Sequence, residues 1–399
     1  METKQLIHRT MASTMASMFK YLPVITLTGP RQSGKTTLCH HLFPDLPYVN
    51  LENSSSLAAV QDDPVRFMSQ YPQGMIIDEA QHAPEIMSWI QVAVDQDRIT
   101  GSGSRRYIIT GSNNFSLMEK VTQSMAGRTS LLSLMPLSVD EICAHRGVVS
   151  TDELIFRGGY PEIWNTSLDA RNILLDSYYS TYIERDVRSL INVRDTQAFR
   201  IFIRLCASRI GCEVNASSLA LEVGVKTPTI QHWLSILEAS YIIYRVHPFY
   251  ANIGKRLTKT PKMYFYDTGL ASYLMGIQSI EHLVNHPLRG ALFENLTMNE
   301  AAKHNYNHGK NIPIYFYRDK SQREVDILIA TPSGINAYEV KSSQTYDCHF
   351  FKNLDYLQKI LGSQLKRTMV IYDGEQENKT VTQRGYCNLR SFSTVLDQT

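Results

Sequence analysis

Short apolar runs alternate with helix-like segments in the amino-terminal part of this 399-residue chain. The runs are VITLTG (24–29), YVNLE (48–52), GMIIDEA (74–80), RYIITGS (106–112) and SLLSLMPL (130–137). Uninterrupted apolar strands separated by helices are typical of a parallel sheet that helices cover on both faces. The pattern therefore predicts an α/β domain over residues 1–164.

The next part of the chain is mainly helical. The segment NASSLALEVGVKTPTIQHWLSILEASYIIYRV has the order helix, turn, helix, strand. Gly224 permits the turn, and Thr227 and Pro228 have the residue types of an N-cap and a first helical position. Two strands, YIIYRVHPF and KMYFYD, flank the loop YANIGKRLTKTP. This order predicts a winged-helix domain over residues 165–284.

The last part begins with the helix-like GALFENLTMNEAAKH. Strand patterns follow at 313–318, 324–330 and 335–342, then a helix near 349–362 and a strand at 367–373. Strands mixed with helices predict a further α/β domain over residues 285–399.

Composition and charge exclude several classes of protein. The net charge is only +2, so contact with a polyanion depends on local basic patches. The six cysteines form no CxxC pair, which argues against a zinc site and a disulfide framework and fits a reducing compartment. The amino terminus lacks the apolar stretch of a signal peptide, and no run suits a membrane span. We therefore expect a cytoplasmic protein without a membrane partner.

One motif is specific for phosphate binding. GPRQSGKTT (29–37) matches GxxxxGK[ST] and lies between a predicted strand and a predicted helix. The glycines let backbone N–H groups surround phosphates, and the helix N-terminus adds partial positive charge. Lys35 is expected to reach the β- and γ-phosphates, and Thr36 to bind Mg²⁺. The predicted ATP-binding residues are Gly29, Pro30, Arg31, Gln32, Ser33, Gly34, Lys35, Thr36 and Thr37.

A second element completes a hydrolytic site. The apolar strand GMIIDEA ends in Asp78 and Glu79. Asp78 is expected to hold Mg²⁺, directly or through water, and Glu79 to orient the attacking water. Many strands end in solvated carboxylates, but the phosphate loop upstream makes this pair informative. The two motifs together predict ATP hydrolysis.

Two further residues are candidates for the same site. Ser112 follows the next strand, where it either senses the γ-phosphate or caps the helix after it. Arg128, in AGRTS, is a candidate for stabilising transition-state charge, in cis or on a neighbouring subunit. The trans alternative requires a homo-oligomer.

The motifs resemble those of a known family. GPRQSGKTTL, IIDEAQ, IITGS, AGR, FRGGYPEIW and YFYRDKSQREVDILI…YEVKSS occur in this order in a group of prokaryotic AAA-type ATPases. Those proteins carry a C-terminal domain of unknown function that is similar to the PD-(D/E)xK, restriction-endonuclease-like fold. The resemblance covers nearly the whole chain. It implies ATP binding at 29–37 and AAA-like roles for Asp78, Glu79, Ser112 and Arg128.

The winged-helix segment offers two interpretations. A second helix of this kind can lie in a DNA groove, but its outer side, with Thr229, Gln231 and His232, has little positive charge. The loop after it either follows nucleic-acid phosphates or is an ordinary solvated turn. Winged helices in ATPases also serve as lids or partner surfaces. The predicted nucleic-acid contacts are Lys255, Arg256, Lys259 and Lys262.

A carboxylate pattern marks the last domain. Strand alternation in the hairpin REVDILIATPSGINAYEVKSS lets Asp326 and Glu339 meet on one side, with Lys341 beside them. Glu294 on the upstream helix can reach the same corner. These are the positions that the PD-(D/E)xK resemblance requires. The carboxylates would hold one or two Mg²⁺ or Mn²⁺ ions, and Lys341 would orient the attacking water. The alternative is a structural ion pair of Glu339 with Lys341 or Arg323.

These features predict an ATP-dependent DNA-processing protein that remodels or translocates structured DNA. Branched DNA enters only by analogy with junction resolvases of the same fold. The C-terminal site either cuts this DNA or only binds it. One alternative is a regulatory ATPase switch with a non-catalytic C-terminal scaffold, and another is a chaperone-like remodeller that acts without DNA.

Overall fold

The computed structural model describes residues 6–101, 103, 105–111, 125–187, 195–249, 260–378 and 384–398, with the side chains of 185 and 186 excepted. Within these ranges the fold is mixed α/β, with two separate sheets. No helix in the described part of the chain is long and apolar enough to cross a membrane.

The first sheet is parallel throughout and has the order β2-β3-β4-β1-β5. Its strands are β1 (Val24–Thr28), β2 (Tyr48–Asn50), β3 (Gly74–Asp78), β4 (Arg106–Thr110) and β5 (Thr129–Ser133). The helices of this part are α1 (Met11–Met18), α2 (Lys35–Leu42), α3 (Ser54–Asp62), α4 (Pro64–Ser69) and α5 (Ile86–Thr100). Successive residues of β3 belong alternately to two apolar clusters, one on each face. The predicted parallel sheet with two covered faces is confirmed.

Together with strands and helices of the later part of the chain, the helices that follow contribute to the largest apolar cluster. They are α6 (Val139–Arg146), α7 (Thr151–Arg157), α8 (Pro161–Trp164), α9 (Ala170–Tyr178), α10 (Thr196–Ser208), α11 (Ala216–Val223) and α12 (Thr227–Ala239), with a π-helix at Tyr179–Val187. Trp233 of α12 packs against Phe199 and Phe202 of α10, with ring centroids 5.6 and 5.2 Å apart. Gly224 lies at the predicted turn between α11 and α12 and has a left-handed conformation (φ 79°). The N-cap of α12 is Lys226 and not Thr227, one residue earlier than the sequence predicts.

The second sheet has seven strands in the order β12-β11-β10-β9-β8-β6-β7. They are β6 (Ile243–Pro248), β7 (Lys262–Phe265), β8 (Ile314–Arg318), β9 (Glu324–Thr331), β10 (Gly334–Lys341), β11 (Leu365–Tyr372) and β12 (Arg384–Asn388). The remaining helices are α13 (Thr268–Leu274), α14 (Ile280–Val284), α15 (Arg289–Asn307), α16 (Lys352–Leu361) and α17 (Phe392–Asp397). Because β6 pairs in parallel with β8, the hairpin β6–β7 continues the sheet of the last third. The sheet therefore crosses the division that the sequence places at 284.

Helix α15 connects the two sheets. Its Glu300 accepts a hydrogen bond from the backbone N–H of Val139 (2.8 Å), and its Lys303 donates to the carbonyl of Leu137 (2.7 Å). Both side chains are buried, and they also pair with each other (3.0 Å). At the end of the helix, the carbonyl of Asn307 accepts from the Thr14 hydroxyl (2.7 Å). One rigid helix thus contacts the segment after β5 and helix α1.

Candidate functional site

The phosphate loop follows β1, and its backbone requires glycine at two positions. Gly29 has φ 136°, and a Cβ there would lie 2.3 Å from the carbonyl oxygen of Leu134. Gly34 has φ 91° and is the N-cap of α2, so the helix begins at Lys35 with its free N–H groups facing the loop. The local geometry is that of an anion-binding turn.

Lys35 is held by the carbonyls of its own loop. Its Nζ donates to the carbonyl oxygens of Gly29 (3.0 Å) and Pro30 (2.9 Å), and the side chain is buried. Burial lowers the pKa of Lys35 to about 8, although Glu79 and Asp78 act in the opposite direction. A bound phosphate would supply the negative charge that this buried ammonium group lacks.

Asp78 lies at the centre of a hydrogen-bond network at the end of β3. Its Oδ2 accepts from the Thr36 hydroxyl (2.8 Å) and from the Tyr48 hydroxyl (2.7 Å), and its Oδ1 accepts from the Thr110 hydroxyl. Thr36 and Asp78 present a hydroxyl and a carboxylate oxygen side by side, which are ligands that suit Mg²⁺. The sequence indicated this pair, but not Tyr48 or Thr110, because neither belongs to a motif.

A pocket of about 630 Å³ opens in front of the loop. Its volume falls in the range of small-molecule sites. Glu79 faces this pocket from a left-handed backbone conformation (φ 54°), beside Lys35 and Thr36. Of the predicted ATP-binding residues, Arg31, Gln32, Gly34, Lys35, Thr36 and Thr37 line the pocket, and Gly29, Pro30 and Ser33 do not.

Arg9 is a residue of this site that the sequence did not indicate. Its Nη1 donates to the carbonyl of Ser33 and its Nη2 to the carbonyl of Met135, both at 2.6 Å. Its Nε forms an ion pair with Glu141 Oε2 (3.2 Å), and both side chains are buried. Arg9 therefore ties the phosphate loop to the segment after β5. No local pattern around a single arginine signals such a role.

Arg128 lies far from the phosphate loop of its own chain. The register of β1 and β5 pairs Val24 with Thr129, so Arg128 lies where these parallel strands begin. The loop follows their other ends, about 13 Å away at the usual rise per residue. Arg128 instead binds Asp95 through both carboxylate oxygens (2.7 and 2.8 Å). This placement excludes the cis role in this conformation and leaves the trans alternative open.

Four of the predicted residues lie outside the described part of the chain: Ser112, Lys255, Arg256 and Lys259. Their roles stay predictions.

The carboxylate site of the last third is assembled by β9, β10 and α15. The antiparallel register pairs Ile327 with Tyr338, so Asp326 and Glu339 are the next positions on adjacent strands. Asp326 Oδ2 accepts from the backbone N–H of Val340 (2.7 Å), and Glu339 Oε1 accepts from Lys341 Nζ (2.7 Å). Among the described residues, Glu339 Oε2 is a buried oxygen without a hydrogen-bond partner. An unpartnered buried carboxylate oxygen is costly and fits a site for a cation.

Glu294 reaches this corner from α15, but it has two donors of its own. Its Oε1 accepts from Lys262 Nζ (3.0 Å) and from the Tyr264 hydroxyl (2.6 Å). Lys262 also pairs with Glu324. Oxygen atoms of Glu294, Glu324 and Asp326 all lie within 4.8 Å of one another.

The prediction that Lys262 contacts nucleic acid is wrong for this conformation. The residue begins β7, is only 2% exposed, and directs its Nζ into the carboxylate cluster. Sequence reasoning grouped it with the basic residues of the preceding loop, because a lysine that follows TKTP and begins a strand has no local sign of burial. Glu324, its second partner, was missed for the same reason.

The charged groups of the carboxylate site shift one another's pKa values. Burial raises the pKa of Asp326 well above its usual value, and Glu339 and Glu294 raise it further. Burial likewise raises the pKa of Glu339, although Lys341 opposes the shift. Burial alone would lower the pKa of Lys341, but Glu339 and Asp326 raise it. The carboxylates thus form one electrostatic unit whose charged state needs cations.

Three segments of the chain match family models. Residues 22–143 match an AAA domain, residues 149–281 match a domain of unknown function (DUF8612), and residues 289–392 match another domain of unknown function (DUF4143). Two curated relatives are uncharacterized proteins of Mycobacterium tuberculosis and Mycobacterium bovis. Each is 28% identical over 355 residues, which cover 88% of this chain and 77% of the relative.

Solved structures that are similar to this chain include a Walker-type ATPase of Pyrococcus abyssi, with a TM-score of 0.42 and 13% identity over 67% of this chain and 96% of that one. An Aeropyrum pernix ORC1 protein in complex with DNA has a TM-score of 0.32 and 14% identity, over 68% and 92% of the two chains. Scores of this size say nothing about activity. The AAA match contains the phosphate loop and the Thr36–Asp78 pair, so residues 22–143 form an AAA-type ATPase domain.

Proposed function

We propose that this ATPase processes DNA: it hydrolyses ATP to remodel or translocate a structured DNA that the C-terminal site grips or cuts. The observation that carries the proposal is the convergence of Asp326, Glu339 and Lys341, with the buried and unpartnered Oε2 of Glu339 among them. Carboxylates on adjacent strands with a neighbouring lysine suit metal-dependent cleavage of phosphodiesters. The proposal places the protein in the cytoplasm, where ATP and DNA are both present.

In the ATPase step the chain's residues bind and orient. Lys35 exchanges its two loop carbonyls for the β- and γ-phosphates, and the N-terminus of α2 adds hydrogen-bond donors. Thr36 and Asp78 would hold Mg²⁺, which neutralises phosphate charge when bound. Glu79, which faces the same pocket, orients the attacking water.

In the C-terminal site, Asp326 and Glu339 would hold a divalent cation, which polarises a phosphate and lowers the pKa of bound water. Lys341, with its Nζ 2.7 Å from Glu339, orients that water or stabilises the charge that develops on the phosphate. The raised pKa values of Asp326 and Glu339 support a site that a cation completes.

Helix α15 contacts both parts of the chain, which supports coupling between the ATPase site and the carboxylate site. Helix α15 carries Glu294 near its start and Glu300 and Lys303 further along, and the latter two contact Val139 and Leu137. Movement of the segment after β5 during ATP turnover therefore acts directly on the helix that borders the carboxylate cluster. A trans role for Arg128 would add a homo-oligomer to this proposal.

The ATPase rate is the first test, measured without DNA and with single-stranded, duplex and four-way DNA. We expect stimulation by DNA, strongest with the branched form. Lys35→Ala is the blank, with a loss of roughly 100-fold or more because a charge that binds the transferring phosphate is removed. Lys20→Ala, an exposed lysine of the same part of the chain, is the matched control and should keep the rate.

Cutting of four-way DNA in the presence of Mg²⁺ is the second test. We expect Asp326→Ala to abolish cutting and to keep the ATPase rate, because the two sites are separate. Glu375→Ala, an exposed carboxylate of the last third, should cut like the unaltered protein. Cutting that survives Asp326→Ala would contradict the assignment of this site.

A regulatory switch is the second candidate, and Lys262 favours it. A lysine that already lies among Glu294 and Glu324 balances part of their charge, as in a scaffold that no longer needs a metal. Absence of both cutting and DNA-stimulated ATPase would support the switch. Stimulation by protein alone would support a remodeller that acts without DNA.

A further inference from the structure

We infer that Lys262 is a built-in cation of the carboxylate site, and that the site therefore takes one divalent ion and not two. This inference rests on the proposed metal role of Asp326 and Glu339. It concerns a residue of β7, outside the last third, that reaches into the cluster from the neighbouring hairpin.

The first support is the position of the ammonium group. Lys262 Nζ lies 3.0 Å from Glu294 Oε1 and also pairs with Glu324. Oxygens of these two residues and of Asp326 lie within 4.8 Å of one another, a spacing compatible with ligands of a single cation. Lys262 stands where a metal ion would otherwise be held.

The second support is that Lys262 is fixed. Its side chain is 3% exposed, and its backbone pairs with Val246 in β6 and with Glu213 in an isolated bridge. Burial alone would lower the pKa of Lys262, but Glu294, Asp326 and Glu324 raise it above its ordinary value, so it stays charged at neutral pH. A buried, charged and doubly paired lysine in a sheet strand is a permanent part of the site.

The third support is the state of Glu294. The oxygen that binds Lys262 also accepts from the Tyr264 hydroxyl (2.6 Å), so two donors of β7 compete with a metal for it. The Oε1 atom of Glu294 is therefore occupied by Lys262 and Tyr264, which distinguishes Glu294 from Asp326 and Glu339 as a metal ligand.

What remains is a place for one ion. Glu339 is 3% exposed, and its Oε2 is a buried oxygen without a hydrogen-bond partner in the described structure. Asp326 lies on the adjacent strand, one position beyond the register pair Ile327–Tyr338, and its Oδ2 accepts from the backbone N–H of Val340, the residue after Glu339 (2.7 Å). The two residues can share one ion at a position separate from that of Lys262.

The charges agree with this count. Glu294, Glu324, Asp326 and Glu339 face Lys262 and Lys341, so the acids exceed the lysines by two charges. One divalent ion supplies that difference, and a second would leave an excess of positive charge. Arg318 approaches Glu324 to 3.6 Å, but it is one-third exposed and lies at the rim.

The test is the number of Mn²⁺ ions bound, measured by titration calorimetry on the full chain without nucleotide. Every protein carries Asp78→Asn, which removes the ligand at the phosphate loop. In this background we expect one ion per chain, and none after Asp326→Asn. Lys262→Met opens the second position, so we expect two ions or at least a tenfold gain in affinity. Lys359→Met, at an exposed lysine of α16, is the matched control and should bind one ion.

Binding of two ions by the protein with Lys262 intact, or one ion of unchanged affinity by a folded Lys262→Met variant, overturns the inference. Should Lys262→Met not fold, Glu324→Gln decides: unchanged binding of one ion supports the inference, and loss of binding overturns it by making Glu324 a ligand. If the intact protein binds no Mn²⁺ but Lys262→Met gains a site, the proposed metal-dependent function fails while Lys262 as the resident cation is supported.

Discussion

Lys35 carries a buried ammonium group at the phosphate loop. Its ammonium group binds two carbonyls of its own loop, and burial brings its pKa from 10.5 to about 8. Between these values the unfolded chain binds more protons than the folded one at this residue. The free energy of unfolding therefore rises with pH across that window.

This shift gives a prediction on the nucleotide-free protein. From pH 8 to 9.5, the free energy of unfolding should rise relative to that of Lys35→Met by about 1 kcal/mol per pH unit. Urea unfolding at closely spaced pH values measures the difference. Parallel pH profiles for the two proteins would show that the ammonium group is not perturbed. Saturation with ATP should flatten the difference, because the phosphates stabilise the charged form.

Arg9 and Glu141 form a buried pair that single substitutions should break at high cost. We expect Arg9→Met to lower the free energy of unfolding by about 3 kcal/mol or more, because it leaves Glu141 charged and buried. The double variant Arg9→Met/Glu141→Gln should recover part of that loss. Arg66→Met, at an exposed arginine, should cost less than about 0.5 kcal/mol. A double variant as unstable as the sum of the single ones would contradict the coupling.

At the scale of elements, the pairing of β3 and β4 depends on one glycine. Gly74 has φ 95°, and a Cβ there would lie 1.8 Å from the carbonyl oxygen of Arg106. Gly74→Ala should cost about 3 kcal/mol or more, because strain and a backbone clash add. Gly101 has φ 69°, and a Cβ added there would have no neighbouring atom within 4 Å. Gly101→Ala should therefore cost about 1 kcal/mol, from backbone strain alone. Thermal unfolding of the two variants measures the difference, and equal losses of stability would exclude the clash at Gly74.

The sequence was most informative where a function depends on residues close together in the chain. The phosphate loop follows from its own spacing, and Asp326 and Glu339 follow from strand alternation in one hairpin. Lys262 was misplaced because its partners come from α15 and β9, and pairing between distant elements leaves no local periodicity. The position of Arg128 follows from the parallel register of β1 and β5, which strand patterns alone do not give.

At the scale of the whole molecule, α15 is the connection that should carry the nucleotide state to the last third. Binding of a slowly hydrolysed ATP analogue should slow hydrogen exchange in 289–307 as well as around the pocket. In Glu300→Gln/Lys303→Met, which removes the contacts to Val139 and Leu137, slowing should remain at the pocket and vanish from the helix. Lys359→Met should behave like the unaltered protein. Slowing in 289–307 that persists in the double variant would mean that another route carries the effect.

The shared seven-stranded sheet decides how this gene can be divided. A fragment that stops at 284 lacks β8, the neighbour of β6, so the backbone amide and carbonyl groups on that edge of β6 are unpaired. Unpaired edges promote aggregation with other chains. A fragment that starts at 285 has the corresponding unpaired edge on β8. It also lacks Lys262, the ion-pair partner of Glu294 and Glu324. Any truncation meant to yield a soluble, well-behaved carboxyl-terminal piece must begin upstream of Ile243.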